Sequence, residues 1–168
     1  VSRPRAVLVG PPGAGKTTVG GLLAERLGLT LHDTDRAVES ATGRSISDIF
    51  VQDGEEAFRR LEREEVLRAL REETGVVALG GGAVMQEAVA RALREEGHTV
   101  VFLDVTIADA SRRVGFDASR PLLLVNPRAS WTRLMDARRP TYESLATLRV
   151  ATGGRTPEEI ADEIAAAL

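Results

Sequence analysis

The chain has 168 residues, 43% hydrophobic and 28% charged, with a net charge of −3; this balance suits one globular domain with a sizeable core and argues against a nucleic-acid coat. The absence of cysteine excludes disulfides, zinc–thiolate centres and thiol nucleophiles, and with His32 and His98 as the only histidines a His-rich metal site is excluded too, leaving Mg²⁺ on oxygen ligands. No apolar run reaches membrane-spanning length, and the basic start Val1-Ser2-Arg3-Pro4-Arg5 precedes an apolar stretch too short for a signal peptide, so the expected compartment is the cytoplasm.

In chain order, 6–9 reads as a short buried strand. It runs into Gly10-Pro11-Pro12-Gly13-Ala14-Gly15-Lys16-Thr17, the phosphate-loop pattern. Gly13 and Gly15 let the backbone aim N–H groups at phosphate, Lys16 reaches the β- and γ-phosphates, and the Thr17 hydroxyl suits Mg²⁺. A helix over 17–27 places its N-terminus at the anion. A strand over 29–33 follows, ending in Asp33-Thr34-Asp35. One of these carboxylates suits Mg²⁺ and the other a proton from a hydroxyl; equally, the triplet suits the cap of the next helix.

Helical patterns follow over 35–42, 47–51 and 55–73. The last carries Phe58-Arg59-Arg60-Leu61-Glu62-Arg63-Glu64-Glu65, a mostly solvated face with Arg60 and Glu64 spaced for an ion pair. Glu62 is spaced to hold the Arg59 guanidinium. Gly75 and Gly97 each follow a helical pattern, as C-terminal glycines do. A strand over 76–79 ends in Gly80-Gly81-Gly82, which reads as backbone open to a ligand or as a tight turn. Then come a helix over 87–96, a strand over 100–103, a helix over 108–114 and an irregular stretch over 115–128 suited to a lid. That stretch carries Arg120, either a solvated loop arginine or one that swings in on closure. A helix over 129–146 contains Arg138-Arg139-Pro140-Thr141-Tyr142; a strand over 148–151 follows. Thr156 and Pro157 open a last helix over 157–167 as cap and first residue. Strands alternating with helices imply an α/β fold with a parallel sheet covered on both faces, and ligands at the strands' carboxyl ends.

Together these segments resemble the shikimate kinase family over nearly the whole chain. The resemblance rests on Gly10–Thr17, Asp33-Thr34-Asp35, Phe58-Arg59-Arg60-Leu61-Glu62, Gly80-Gly81-Gly82-Ala83-Val84, Arg120-Pro121-Leu122-Leu123 and Arg138-Arg139-Pro140-Thr141-Tyr142. It implies a nucleoside-monophosphate-kinase-like three-layer α/β/α domain spanning 1–168, with a five-stranded parallel sheet in the order 2-3-1-4-5. The shikimate-binding region is expected at about 33–62 and the lid at about 115–128. It implies transfer of the ATP γ-phosphoryl group to the shikimate 3-hydroxyl, giving shikimate 3-phosphate and ADP in the route to chorismate, with Mg²⁺ required. By resemblance, Lys16, Asp35 and Arg120 are catalytic. ATP falls to Gly13, Ala14, Gly15, Lys16, Thr17, Thr18, Arg113, Arg120, Arg155, Thr156 and Pro157. Shikimate falls to Asp35, Phe50, Phe58, Arg59, Glu62, Gly80, Gly81, Gly82 and Arg138, with Arg59 and Arg138 on its carboxylate. Mg²⁺ falls to Thr17 and Asp33. Between Arg138 and its neighbour Arg139, the spacing to Pro140 and Tyr142 favours Arg138 as the inward one. A monomer is expected, with no nucleic-acid or membrane partner. The alternatives are a related gluconate or nucleoside-monophosphate kinase, and a nucleotide switch that hydrolyses ATP without an acceptor.

Overall fold

The computed structural model describes residues 3–114 and 127–168, and for 112–114 and 127 the backbone alone. Five strands form one parallel sheet: β1 (Ala6–Val9), β2 (Leu31–Asp33), β3 (Val76–Ala78), β4 (Val100–Asp104) and β5 (Leu148–Ala151). Their order is β2-β3-β1-β4-β5, with β1 bonded to both β3 and β4. The central position of β1 follows from its composition: Ala-Val-Leu-Val has no polar side chain and is buried on both faces. The edges differ. Only half-buried residues make up β2, and in β5 the buried Val150 is flanked by exposed Arg149 and Ala151.

The helices are α1 (Lys16–Leu27), α2 (Thr34–Thr42), α3 (Ile46–Asp53), α4 (Glu55–Glu72), α5 (Glu87–Glu95), α6 (Ile107–Val114), α7 (Pro127–Leu145) and α8 (Pro157–Ala167), with a short 3-10 turn at Ala83–Met85. From β1 to β2 the chain moves toward one edge, and each later crossover moves toward the other. Right-handed connections therefore put α1 on one face and α4, α5 and α7 on the opposite face. The packing agrees: α1 lies against α8, while α5 touches both α4 and α7. A separate small core of Val38, Ile49 and Phe58 joins α2, α3 and α4 beside the main one. No described helix is long and apolar enough to cross a membrane.

The element order and sheet order match the expectation, with local corrections. The second strand starts at Leu31, because Gly28 closes α1 in the left-handed region and the Leu29 N–H still bonds back to Ala24. Gly75 is no helix cap: α4 ends at Glu73 in extended conformation. Gly75 instead approaches Thr30 so closely that a Cβ would collide with its carbonyl oxygen. Gly97 does close its helix, with φ of 66°. Arg60 and Glu64 form no pair with each other among the described ion pairs. On α4 the pairs join Arg59 to Glu55 and Glu62, and Arg68 to Glu65, Glu72 and Glu73.

One clamp sets the rotation of α7. Arg139 donates from both Nη atoms to Asp104 at the end of β4, each at 3.0 Å, and Arg149 adds two more bonds, from Nε at 2.9 Å and from Nη2. Burial pushes the Asp104 carboxyl up, but the bonds from Arg139 and Arg149 outweigh it and hold the group below 3.8. The clamp's stability is thus full above about 3.8 and lost as pH falls through the lowered value. Arg139→Ala is expected to lower Tm by a few degrees at pH 7, the gap to the parent closing as pH falls below about 3.8 and through the lowered value. Equal melting curves at pH 7 would show that the clamp contributes nothing.

Candidate active site

The carboxyl ends of β1, β2 and β3 open onto one cavity of about 650 Å³. At its floor the phosphate loop turns through Gly13 (φ 84°) and Gly15 (φ 90°), conformations that a side chain resists. Gly13 also lies so close to α6 that a Cβ would come within 2.9 Å of the Ala110 backbone. The N-cap of α1 is Gly15, which has no side chain to cap it, and the first turn holds no acid, so the helix dipole favours an anion at the loop's mouth. Lys16 Nζ donates to the Gly10 and Pro11 carbonyls at 2.6 and 3.0 Å, which places the ammonium across the loop. Ala14 is fully buried beneath, and Thr18 lines the cavity.

Asp33 caps the next helix, as one reading of its triplet has it, and also bonds the phosphate loop. One carboxylate oxygen caps α2, accepting from the Asp35 and Arg36 amides at 3.0 and 3.2 Å; the other accepts from the Thr17 hydroxyl at 2.7 Å. Asp35, one residue into α2, is thereby turned toward the glycines.

The glycine triplet is the hinge of the site. None of Gly80, Gly81 and Gly82 has a positive φ, so space and not backbone strain demands them. A Cβ on Gly80 would sit 2.6 Å from both Asp35 Oδ1 and Glu62 Oε2. One on Gly81 would sit 3.0 Å from Arg138 Nη1, and one on Gly82 2.7 Å from Arg59 Nη1. Three missing side chains thus make room for two carboxylates and two guanidiniums from α2, α4 and α7. Gly80→Ala is expected to displace both carboxylates and to cut turnover at least tenfold in a folded protein, since a positional error near 1 Å costs about a hundredfold. Unchanged kcat/KM in that variant would remove the crowding argument.

Glu62 is only 1% exposed and accepts from Arg59 Nη1 at 2.8 Å. Burial pushes its carboxyl up, against the pull of Arg59, Gln86 and Arg138. Arg138 is 6% exposed and lines the cavity, whereas Arg139 is spent on Asp104; the inward arginine is Arg138. The Tyr142 hydroxyl donates to the Gly81 carbonyl at 2.6 Å, and burial pushes its pKa up to about 12. Phe50 and Phe58 wall the cavity with ring centroids 5.1 Å apart, and the Arg59 guanidinium lies 5.3 Å over Phe58.

Most residues expected at the site therefore converge. Pro157 reaches the cavity, but Arg155 pairs with Glu163 at 2.7 Å and Thr156 caps α8 through the Glu159 amide at 3.1 Å; neither lines it. Arg120 and the Arg113 side chain lie outside the described residues. Three residues without an assigned role also reach the site. Trp131 Nε1 donates to the Pro12 carbonyl at 2.8 Å, Tyr142 holds Gly81, and Gln86 donates to Glu62 at 3.1 Å. For the first two a signal existed: Trp131, Met135, Arg138 and Tyr142 share one face of α7 by their spacing of four, three and four. Gln86 had none.

A phosphate loop leading into α1 within a sheet of order 2-3-1-4-5, with charged groups gathered beside it, defines a P-loop kinase of the nucleoside-monophosphate-kinase-like class. The model of the family described as shikimate kinase matches residues 12–168. A shikimate kinase of Thermobifida fusca (strain YX) is 60% identical over 164 residues, covering 98% of this chain and 94% of that protein. Among solved structures, the shikimate kinase of Acinetobacter baumannii in complex with shikimate superposes with a TM-score of 0.92 at 35% identity, covering 98% of this chain and 91% of that one. That of Aquifex aeolicus gives 0.78 at 31%, covering 96% and 94%. The chain belongs to the shikimate kinase family.

Proposed function

We propose that this chain performs its family's reaction with Lys16, Asp35, Arg59, Arg120 and Arg138 as the principal groups, passing the ATP γ-phosphoryl group to the 3-hydroxyl of shikimate. The observation that carries the reading is the packing of Asp35, Arg59 and Arg138 around Gly80, Gly81 and Gly82, beside the phosphate loop.

Arg59 and Arg138 suit a carboxylate, because a planar guanidinium meets it with two parallel hydrogen bonds. Glu62 keeps Arg59 in place. Phe50 and Phe58 wall the ring side of the pocket, and Gly81 supplies backbone contact. With the ring anchored there, a ring hydroxyl comes beside Asp35, which orients it and takes its proton as the oxygen attacks the γ-phosphorus. The bond from that phosphorus to the β,γ-bridging oxygen breaks, and ADP leaves. Gly13, Ala14, Gly15 and Thr18 line the phosphate cradle. Lys16, with Arg120 from the lid, stabilises charge on the transferring group. Arg113, Arg155, Thr156 and Pro157 are assigned to the adenine side. Ring anchoring gives the bound hydroxyl an effective concentration that water, an unanchored nucleophile, lacks.

The Thr17 hydroxyl and Asp33 carboxylate, 2.7 Å apart beside the loop, are hard oxygen donors of the kind that hold Mg²⁺ together with phosphates and water. Among the described residues no group of three or more His, Cys, Asp or Glu is placed to hold a metal alone, which fits an ion that arrives with the nucleotide. Bound there, Mg²⁺ supplies charge neutralisation for the phosphates. We further assign the chain one kinase domain over 1–168, with shikimate contacts at about 33–62 and a lid at about 115–128, acting as a cytoplasmic monomer without nucleic-acid or membrane partners.

ADP release with Mg²⁺-ATP, compared across shikimate, gluconate, AMP and no acceptor, tests the reading. Stimulation by shikimate alone is expected. Stimulation by gluconate or AMP would reassign the pocket, and release indifferent to every acceptor would favour a nucleotide switch.

A further inference from the structure

We infer that Gln86 is a positioning residue for the acceptor's carboxylate: its side-chain amide holds buried Glu62 in the orientation that aims Arg59 into the cavity. The inference rests on the proposed role of Arg59.

Gln86 follows the 3-10 turn that leaves the glycine triplet and stands at the N-cap of α5. Serine, threonine, aspartate or asparagine there would cap the helix; Gln86 makes no such bond. It turns toward α4. Its Nε2 donates to Glu62 Oε1 at 3.1 Å, the same oxygen that accepts from Arg59 Nη1 at 2.8 Å. Arg63 Nη1 donates to the Gln86 Oε1 at 3.2 Å, which fixes the amide's direction and leaves its NH₂ facing Glu62. A carboxylate so deeply buried needs donors, and without them it swings or takes a proton. The chain Arg63–Gln86–Glu62–Arg59 thus ties the pocket arginine to the turn formed by the glycines.

The charged and titratable groups around Glu62 are Arg59 on its own helix, Asp35 of α2 across Gly80, and Arg138 and Tyr142 of α7. Burial already raises its carboxyl against the pull of Arg59, Gln86 and Arg138. Loss of the Gln86 donor removes part of that pull, so Glu62 takes a proton at a higher pH. Protonated Glu62 no longer holds Arg59 as an ion pair.

Two variants separate positioning from scaffolding. Gln86→Ser removes the amide but supplies a good N-cap; Gln86→Ala removes the amide and supplies none. In both, shikimate KM is expected to rise about tenfold, as for loss of a hydrogen bond to a charged group. In both, kcat and ATP KM stay within about twofold, and the acidic limb of kcat/KM for shikimate moves to higher pH. Gln86→Ser should melt above Gln86→Ala. A KM effect confined to the less stable Gln86→Ala, or an acidic limb that does not move in either variant, would overturn the proposal. Arg59→Lys is the control. Unchanged shikimate KM in Arg59→Lys would sink the role of Arg59 itself. A raised KM there, with parental behaviour in both Gln86 variants, would sink the Gln86 role alone.

Discussion

Lys16→Ala is expected to lower kcat by about 10²–10³-fold, or about 2.7–4 kcal/mol, the usual loss on removing one preorganised group from developing charge. The ammonium is held across the loop by two backbone carbonyls, so it is in place before nucleotide arrives and costs no reorganisation during transfer. Its charge is a compact point. Alanine removes that charge and leaves the Gly10 and Pro11 carbonyls short of a donor, which costs about 1–3 kcal/mol of stability at most. The fold therefore survives, and a melting curve run beside the kinetics separates the two effects. A kcat within threefold of the parent at saturating ATP and shikimate would take Lys16 out of the catalytic set.

Arg138→Ala is expected to act on the other substrate. Arg138 is 6% exposed and lies against Gly81, whose carbonyl is held in turn by the Tyr142 hydroxyl. A carboxylate that enters this pocket loses its water and depends on the guanidiniums. Truncating one member of such a buried pair costs about 2–5 kcal/mol, roughly 30-fold or more in Kd. Shikimate Kd should rise by at least that factor, with ATP Kd nearly unchanged. Arg138→Lys should recover only part, because an ammonium cannot meet both carboxylate oxygens in one plane. If ATP binding weakened and shikimate binding did not, Arg138 would belong to the nucleotide side.

How much of this was legible in the sequence depended on how local each constraint is. The phosphate loop was legible in full, because left-handed backbone at Gly13 and Gly15 forces residue type at fixed spacing. So was the sheet order, once the family resemblance was drawn. Gly80, Gly81 and Gly82 were legible as a site, but not the neighbours that demand glycine there: the nearest occupants of the missing side-chain space are Asp35, Glu62, Arg138 and Arg59. Gly75 misled for a related reason: a glycine after a helical pattern suits a cap, but a close approach to Thr30 demands it, and only the folded chain brings the two together. The choice between Arg138 and Arg139 turned on Asp104, 35 residues from Arg139, which takes the second arginine. Gln86 meets Glu62 across 24 residues through the packing of α5 on α4, and no periodicity marks it. Arg155 and Thr156 were carried by the resemblance, but an ion pair and a helix cap engage them here.

A carboxylate pocket made by Arg59 and Arg138 beside the glycine triplet underlies the proposed function. It is tested most directly by calorimetric titration with shikimate and with its methyl ester, in the parent and in Arg138→Ala. The ester keeps the ring and hydroxyls and loses only the charge. The parent is expected to bind shikimate at least about tenfold more tightly than the ester, which lacks the charge-assisted hydrogen bonds, and Arg138→Ala to lose most of this preference. Equal affinity for acid and ester in the parent protein would contradict it.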